Sequence, residues 1–362
     1  MTDALDAVVV GAGPNGLAAA VTLAAAGLQV RVIEAAADPG GGCRSEALTL
    51  PGFVHDVCSS VHPLAVASPF FARLDLAARG VRLRYPEVAY AQPLDGGRAA
   101  VAYQSLDRTV EELGAGGRSW RRLLQPLVSR ADAIIPAVLA PLRRVPAHPL
   151  RAARFAPVGL RSASALAGRL DGDEARALLS GVAAHAMLPL SQPPSGGFGL
   201  VLGLLAHAVG WPVVEGGSRG ITDAMVDVLG ELGGTVETGH RVAALDELPK
   251  ARVVLLDLAP QQLLDLAGDR LPSSYAHSLQ RYRYGPGVCK VDWALSGPVP
   301  WTAAECRNAG TIHVGGTFDD VARSEADVNA GRHPDQPYTL VVQAGVVDAT
   351  RAPAGRQALW AY

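Results

Sequence analysis

The chain has 362 residues, too many for one ordinary hydrophobic core, and at about 150 residues per domain it divides into roughly two. Hydrophobic residues make up 49% and charged residues 18%, which supports a buried core and excludes wholesale disorder. Lys plus Arg number 32 against 34 Asp plus Glu, a formal net charge of -2 with the arginines scattered, so no basic field recruits nucleic acid.

Met1 to Asp6 carries aspartates and no basic residue ahead of the first apolar run, the wrong polarity for a secretory signal. Ala7-Val8-Val9-Val10 is β-branched and apolar, as expected of a strand buried on both faces. Gly11-Ala12-Gly13-Pro14-Asn15-Gly16 follows, then the helix-forming run Leu17 to Ala26 ending at Gly27, then a second strand over Gln29 to Ile33 closed by Glu34. This is a βαβ unit carrying G-x-G-x-x-G in the place a dinucleotide site requires. Gly11 permits the tight turn, Gly13 removes a Cβ that would meet a pyrophosphate, and Gly16 lets helix and strand pack closely. Helix-start N–H groups and the helix dipole favour the phosphates, and Glu34 is placed to bind an adenosine ribose while repelling a 2'-phosphate, which disfavours NADP. Asp38-Pro39-Gly40-Gly41-Gly42-Cys43-Arg44-Ser45 then exposes further backbone donors, and Arg44 adds a charge for phosphate; this segment favours FAD over NAD. His55 and His62, with Asp56 between them, are weak candidates for catalytic side chains, against the plainer reading that local groups satisfy them.

Val81 to Tyr103 alternates and is cut by Pro86, Pro93 and Gly96-Gly97, which predicts a small antiparallel meander. Leu106 to Leu188 has apolar residues at helical spacing, with breaks expected at Pro136, Pro141, Pro146 and Pro149. Phe198 to Val214 has no charged residue, yet as a helix it would reach only about 26 Å, short of the roughly 30 Å of a bilayer core. It predicts a buried helix or tunnel wall, with a peripheral membrane contact as the lesser alternative. Ile221 to Leu232 reads as a helix, Thr235 to Thr238 and Arg252 to Leu258 as strands rejoining the first sheet, and runs at Val288 to Leu295, Thr311 to Val314 and Tyr338 to Gly345 as a second sheet. Cys43, Cys58, Cys289 and Cys306 lie far apart without a C-x-x-C pair, so no metal site or dithiol centre is expected, disulfide reductase chemistry is excluded, and reduced thiols in a cytoplasmic setting fit best.

The run Val9 to Leu17, the Gly-Gly-Gly-x-Arg-Ser segment, Pro51-Gly52-Phe53-Val54-His55-Asp56, Ser60-Val61-His62-Pro63, Gly210-Trp211-Pro212, Gly216-Gly217-Ser218 and Asp257-Leu258-Ala259-Pro260 together resemble the phytoene desaturase-like FAD-dependent oxidoreductases of the amine oxidase and carotenoid desaturase superfamily. The likeness spans essentially the whole chain. It implies an α/β fold with a Rossmann-like FAD-binding domain, discontinuous over 1–80 and 215–270, and a mixed sheet-plus-helices substrate domain over 81–214 and 271–362. By resemblance, Gly11, Gly13, Pro14, Asn15, Gly16, Glu34, Gly41, Gly42 and Arg44 match FAD-contacting positions, and Val242 matches the place where a strand backbone meets the adenine. The implied reaction is dehydrogenation or desaturation of an apolar, isoprenoid-like substrate by hydride transfer to the flavin. The family's C-terminal glycine-rich turn and flavin-closing helix has no counterpart after Gly345, which raises the expectation of a shortened chain and the alternative of a flavin-binding protein without turnover. A second alternative comes from Gly216-Gly217-Ser218-Arg219-Gly220, which satisfies G-x-S-x-G ahead of a helix and would make Ser218 a hydrolase nucleophile.

Overall fold

A computed structural model describes residues 5–140, 149–153 and 155–362; the expected breaks at Pro141 and Pro146, and the first four residues of the N-terminal segment, lie outside these. The βαβ unit forms as its residues dictate: a strand Leu5–Val10, a helix Pro14–Ala25 that starts on the pre-set φ of Pro14, and a strand Val30–Ile33. Two later strands, Thr235–Glu237 and Ala251–Leu256, join them in one parallel sheet of order Ala251–Leu256, Leu5–Val10, Val30–Ile33, Thr235–Glu237. The helix Arg219–Glu231 packs on the first helix, and Leu17, Ala20, Val21, Ile221, Met225 and Leu229 form this sheet's core. Val253 and Val254 are exposed, because the apolar Ala251–Leu256 run is a sheet edge and not a central strand.

The second sheet has six strands in the order Val291–Leu295, Gln357–Ala361, Thr339–Val342, Ala309–Val314, Val88–Leu94, Arg98–Tyr103. The expected meander is corrected here. Val88–Leu94 and Arg98–Tyr103 do form an antiparallel hairpin, but Val88–Leu94 also pairs in parallel with Ala309–Val314, so the hairpin completes a large mixed sheet. The short strand Leu83–Arg84 pairs instead with Val213–Val214. Helices Asp173–Ala184, Ser195–Ala208 and Phe318–Asn329 cover the inner face of the large sheet and bury Tyr90, Leu178, Leu204 and Trp211. Pro136 does not break the chain: it sits inside the helix Ala131–Val138, where it removes one hydrogen bond close to the helix end, and Pro149 opens a helix. The apolar run after Phe198 is the buried helix Ser195–Ala208, and among the described residues no helix is long and apolar enough to cross a membrane. The chain is thus mixed α/β, with a Rossmann-like unit and a second sheet-plus-helix unit.

Candidate functional site

The three loop glycines hold different positions. Gly11 has φ +103°, and a Cβ there would lie 2.8 Å from the Asp257 carbonyl oxygen. A Cβ on Gly16 would lie 2.1 Å from the Gly11 carbonyl oxygen, so the protein itself requires both residues. A Cβ on Gly13 would meet nothing closer than the Asp257 carboxylate at 3.5 Å. Packing leaves that position free, and Gly13 lines a cleft of about 690 Å³, a size typical of small-molecule and cofactor sites.

Gly11, Gly13, Pro14, Glu34, Gly41, Gly42 and Val242 all border this cleft, together with Asp257, Gln262 and Asp265. The Glu34 carboxylate is oriented by the backbone N–H groups of Ala12 at 2.7 Å and Ala36 at 2.8 Å, one on each oxygen. Each oxygen keeps acceptor capacity for a ligand hydroxyl. Val242 reaches the wall from an irregular segment; the strand expected there does not form. Asn15, Gly16 and Arg44 are not on the wall: Asn15 is exposed, Gly16 is buried beneath the loop, and the Arg44 guanidinium donates to the Gly41 carbonyl oxygen at 3.2 Å and pairs with Glu46. Sequence reasoning assigned no role to Asp257, whose carboxylate accepts the Gly16 N–H at 2.8 Å and so takes one of the helix-start donors assigned to phosphate. Its signals were its place after the strand Ala251–Leu256 and its part in the Asp257-Leu258-Ala259-Pro260 likeness, neither of which names a partner 241 residues away.

Asp56, His62 and Ser218 come together, but as structure. Asp56 is buried and accepts hydrogen bonds from the Ser45 hydroxyl at 2.7 Å, the Ser218 N–H at 2.8 Å and Arg351 at 3.0 Å. Arg351, equally buried, also donates to Asp348 at 2.8 Å and to the Val214 carbonyl at 2.9 Å. Burial alone would raise the Asp56 carboxyl, but the Arg351 charge and the hydrogen bonds outweigh it and hold the group below the usual carboxylate range. Ser218 is fully buried, and its hydroxyl donates to the Ser59 carbonyl oxygen at 2.6 Å. The His62 Nε2, 2.8 Å away, must therefore donate to Ser218 and cannot take its proton. Burial pushes His62 down to about 4. A nucleophile elbow needs an exposed hydroxyl facing a free base, so this geometry opposes the hydrolase reading. His55 is buried against Thr49, 2.8 Å from its Nε2, and Asp292, 3.5 Å from its Nδ1; burial lowers its pKa although Asp292 pulls the other way. Neither histidine borders the cleft.

Residues 9–74 match the NAD(P)-binding Rossmann-like domain family. Uncharacterized proteins of Mycobacterium bovis and Mycobacterium tuberculosis are 26% identical over 377 residues, covering 91% of this chain and 67% of theirs. Among solved structures, an oxidoreductase from Methanosarcina mazei aligns with 99% of this chain and 78% of its own, at 18% identity and TM-score 0.62. Putrescine oxidase bound to putrescine aligns at 21% identity and TM-score 0.58, covering 99% of this chain and 75% of that one. Cyclohexylamine oxidase from Brevibacterium oxydans aligns at 16% identity and TM-score 0.56, with the same coverage. The chain therefore contains an NAD(P)-binding Rossmann-like domain and has the fold of these oxidoreductases.

Proposed function

We propose that the chain is an FAD-dependent oxidoreductase of phytoene desaturase-like type, acting on an apolar substrate. The glycine-lined cleft with Glu34 at its adenosine end carries this reading. Its fit to the cofactor rests on Gly13, where packing leaves room that a ligand phosphate can use, and on Glu34, whose oxygens are pre-oriented for ribose hydroxyls. When bound, FAD supplies the hydride acceptor. The protein supplies position: Gly41, with φ +52° and room for no Cβ against Gly13, holds the second glycine segment against the first, and Gly42 continues the wall. In this reading residues 1–80 and 215–270 form the cofactor domain and 81–214 with 271–362 the substrate domain. An apolar groove of about 300 Å³ bordered by Leu64, Leu139, Phe155, Phe198 and Val201 supports an apolar substrate and a peripheral membrane contact of a cytoplasmic protein.

The test is flavin absorbance of the purified chain beside the Gly13→Val variant. Because the Gly13 Cβ position meets nothing closer than ordinary van der Waals contact, the variant is expected to keep its far-ultraviolet circular dichroism and lose at least about tenfold in flavin occupancy. Equal flavin content in the two proteins would sink the reading. Anaerobic bleaching of the bound flavin by a substrate then separates an enzyme from a flavin-binding protein without turnover.

A further inference from the structure

Eight buried side-chain polar atoms have no hydrogen-bond partner among the described residues. Six of them belong to the large sheet: Gln357 Oε1 on the strand Gln357–Ala361, and a group of five, Tyr90 OH, Gln92 Oε1, Thr311 Oγ1, His313 Nδ1 and Trp360 Nε1. All five side chains lie on its inner face. Tyr90 contacts the rings of Trp211 and His313 there, Gln92 reaches Ser180 of the covering helix, Trp360 packs with Val61, and Thr311 shares the strand face of His313 while Ile312 packs on the other side. Strand register puts three of them, Tyr90, Thr311 and Trp360, in one row, while Gln92 Oε1 and His313 Nδ1 face Gly181 of the covering helix. Tyr90 pairs with Thr311, Thr311 with Val342, Val342 with Trp360, and Trp360 with Asp292. Buried polar groups normally have partners, and a concentration of orphans on one face calls for an explanation.

We propose that this row is the anchoring wall of the substrate site, and that the substrate is an otherwise apolar molecule carrying neutral oxygen groups, hydroxyl or carbonyl, rather than a hydrocarbon or an amine. The inference rests on the oxidoreductase reading above and narrows its substrate class. Trp360 Nε1 can only donate, and the Tyr90 and Thr311 hydroxyls donate or accept, which suits an alcohol or ketone oxygen. At the outer end Lys290 and Asp292 pair with each other, so Asp292 is not free for an ammonium group nor Lys290 for a carboxylate. At the inner end His185 and His313 face each other at 3.2 Å, and burial keeps both neutral, pushing His185 down to about 4 and His313 well below the ordinary histidine value. The outer end is also the accessible one: the Lys290 and Asp292 side chains keep 18% and 16% exposure. Toward the cofactor cleft, Cys58 is within electrostatic reach of Tyr362 and would sit 3.6 Å from a Cβ on Gly42. Tyr362 itself stacks on Trp360 at 5.5 Å.

The experiment titrates the purified chain with 1-decanol, 2-decanone, decane and decylamine, reading binding by calorimetry and thermal shift, in wild type, Thr311→Val and Tyr90→Phe. The alcohol and ketone are expected to bind at least about tenfold more tightly than decane or decylamine. Each variant should weaken decanol about three- to tenfold, the worth of one neutral hydrogen bond, and leave decane unchanged. Neither variant should lower the melting temperature of the free protein, because each removes a hydroxyl that has no partner in it. Equal affinity for alcohol and hydrocarbon overturns the proposal, as do variants that bind decanol like wild type, or a crystal structure with waters on Tyr90, Thr311 and Trp360 that decanol does not displace. Flavin content is read on the same samples. Discrimination without flavin overturns the oxidoreductase reading alone, whereas flavin without discrimination overturns the anchoring wall alone.

Discussion

At Ser218 the local spacing satisfies a nucleophile motif, and the decision lies in a count of protons. One hydroxyl hydrogen goes to the Ser59 carbonyl, so the His62 nitrogen beside it must donate. Ser218 and its contact with His62 are buried, so Ser218→Ala is expected to cost about 1–3 kcal/mol, the range for leaving buried partners unpaired. Urea unfolding measures it; a change under about 0.5 kcal/mol, typical of an unremarkable surface site, would show that the hydroxyl holds nothing. No alignment of letters carries this, because Ser59 and Ser218 are 159 positions apart. Glu34 was legible for the opposite reason: its partners Ala12 and Ala36 belong to the same βαβ unit, where strand, turn and helix follow from neighbouring residues. Asp257 escaped because its contact with Gly16 exists only once the parallel sheet has formed.

Elements were legible where their period and boundary residues agree, as in the strands and helix of the first 33 residues. They were less so where the decisive neighbour is remote. The strand Gln357–Ala361 is not among the strands expected from the sequence, yet it lies between Val291–Leu295 and Thr339–Val342. In the helix Asp173–Ala184, propensity and packing make opposite forecasts for Gly181→Ala. Propensity favours alanine by roughly 1 kcal/mol. The added Cβ, however, would lie 2.5 Å from both Gln92 Oε1 and His313 Nδ1, and the Gln92 amide is fixed by its bond to the Gly316 carbonyl at 2.7 Å. Overpacking costs about 1–3 kcal/mol and should win, lowering the melting temperature by several degrees. Gly230→Ala in the helix Arg219–Glu231 is the control, since nothing lies near its Cβ position, and it should raise stability slightly. If both substitutions stabilise, the contact at Gly181 is not a constraint.

Across the whole molecule, the return of the chain to its first sheet was legible, because Thr235–Glu237 and Ala251–Leu256 carry strand patterns after a helix. The buried Asp56–Arg351–Asp348 network was not, since it joins positions 295 residues apart. Burial on this scale also sets the acid response. Burial pushes His62, His185 and His207 each down to about 4, and holds His313 well below the ordinary histidine value. The role of His207 shows why: its Nε2 accepts the Trp120 indole N–H at 3.2 Å, which a proton would abolish. Unfolded histidines bind protons below about pH 6.5, whereas the folded ones resist until about 4. Their stabilisation is therefore complete above pH 6.5 and is lost as pH falls toward 4. Glu325 acts in the other direction: burial raises it to about 7, so the folded chain holds a proton there that the unfolded chain releases above the ordinary value of 4.5. These four histidines against one glutamate leave about three protons taken up on unfolding near pH 5, or roughly 4 kcal/mol lost per pH unit, and His55, also lowered by burial, adds in the same direction. With a typical stability of about 5–15 kcal/mol, the chain should unfold between about pH 5.5 and 4. Melting temperatures taken from pH 7.5 to 4.5 should be level down to about 6.5 and then drop steeply. A level curve through pH 5 would mean that these histidines are protonated, and solvated, in the folded protein.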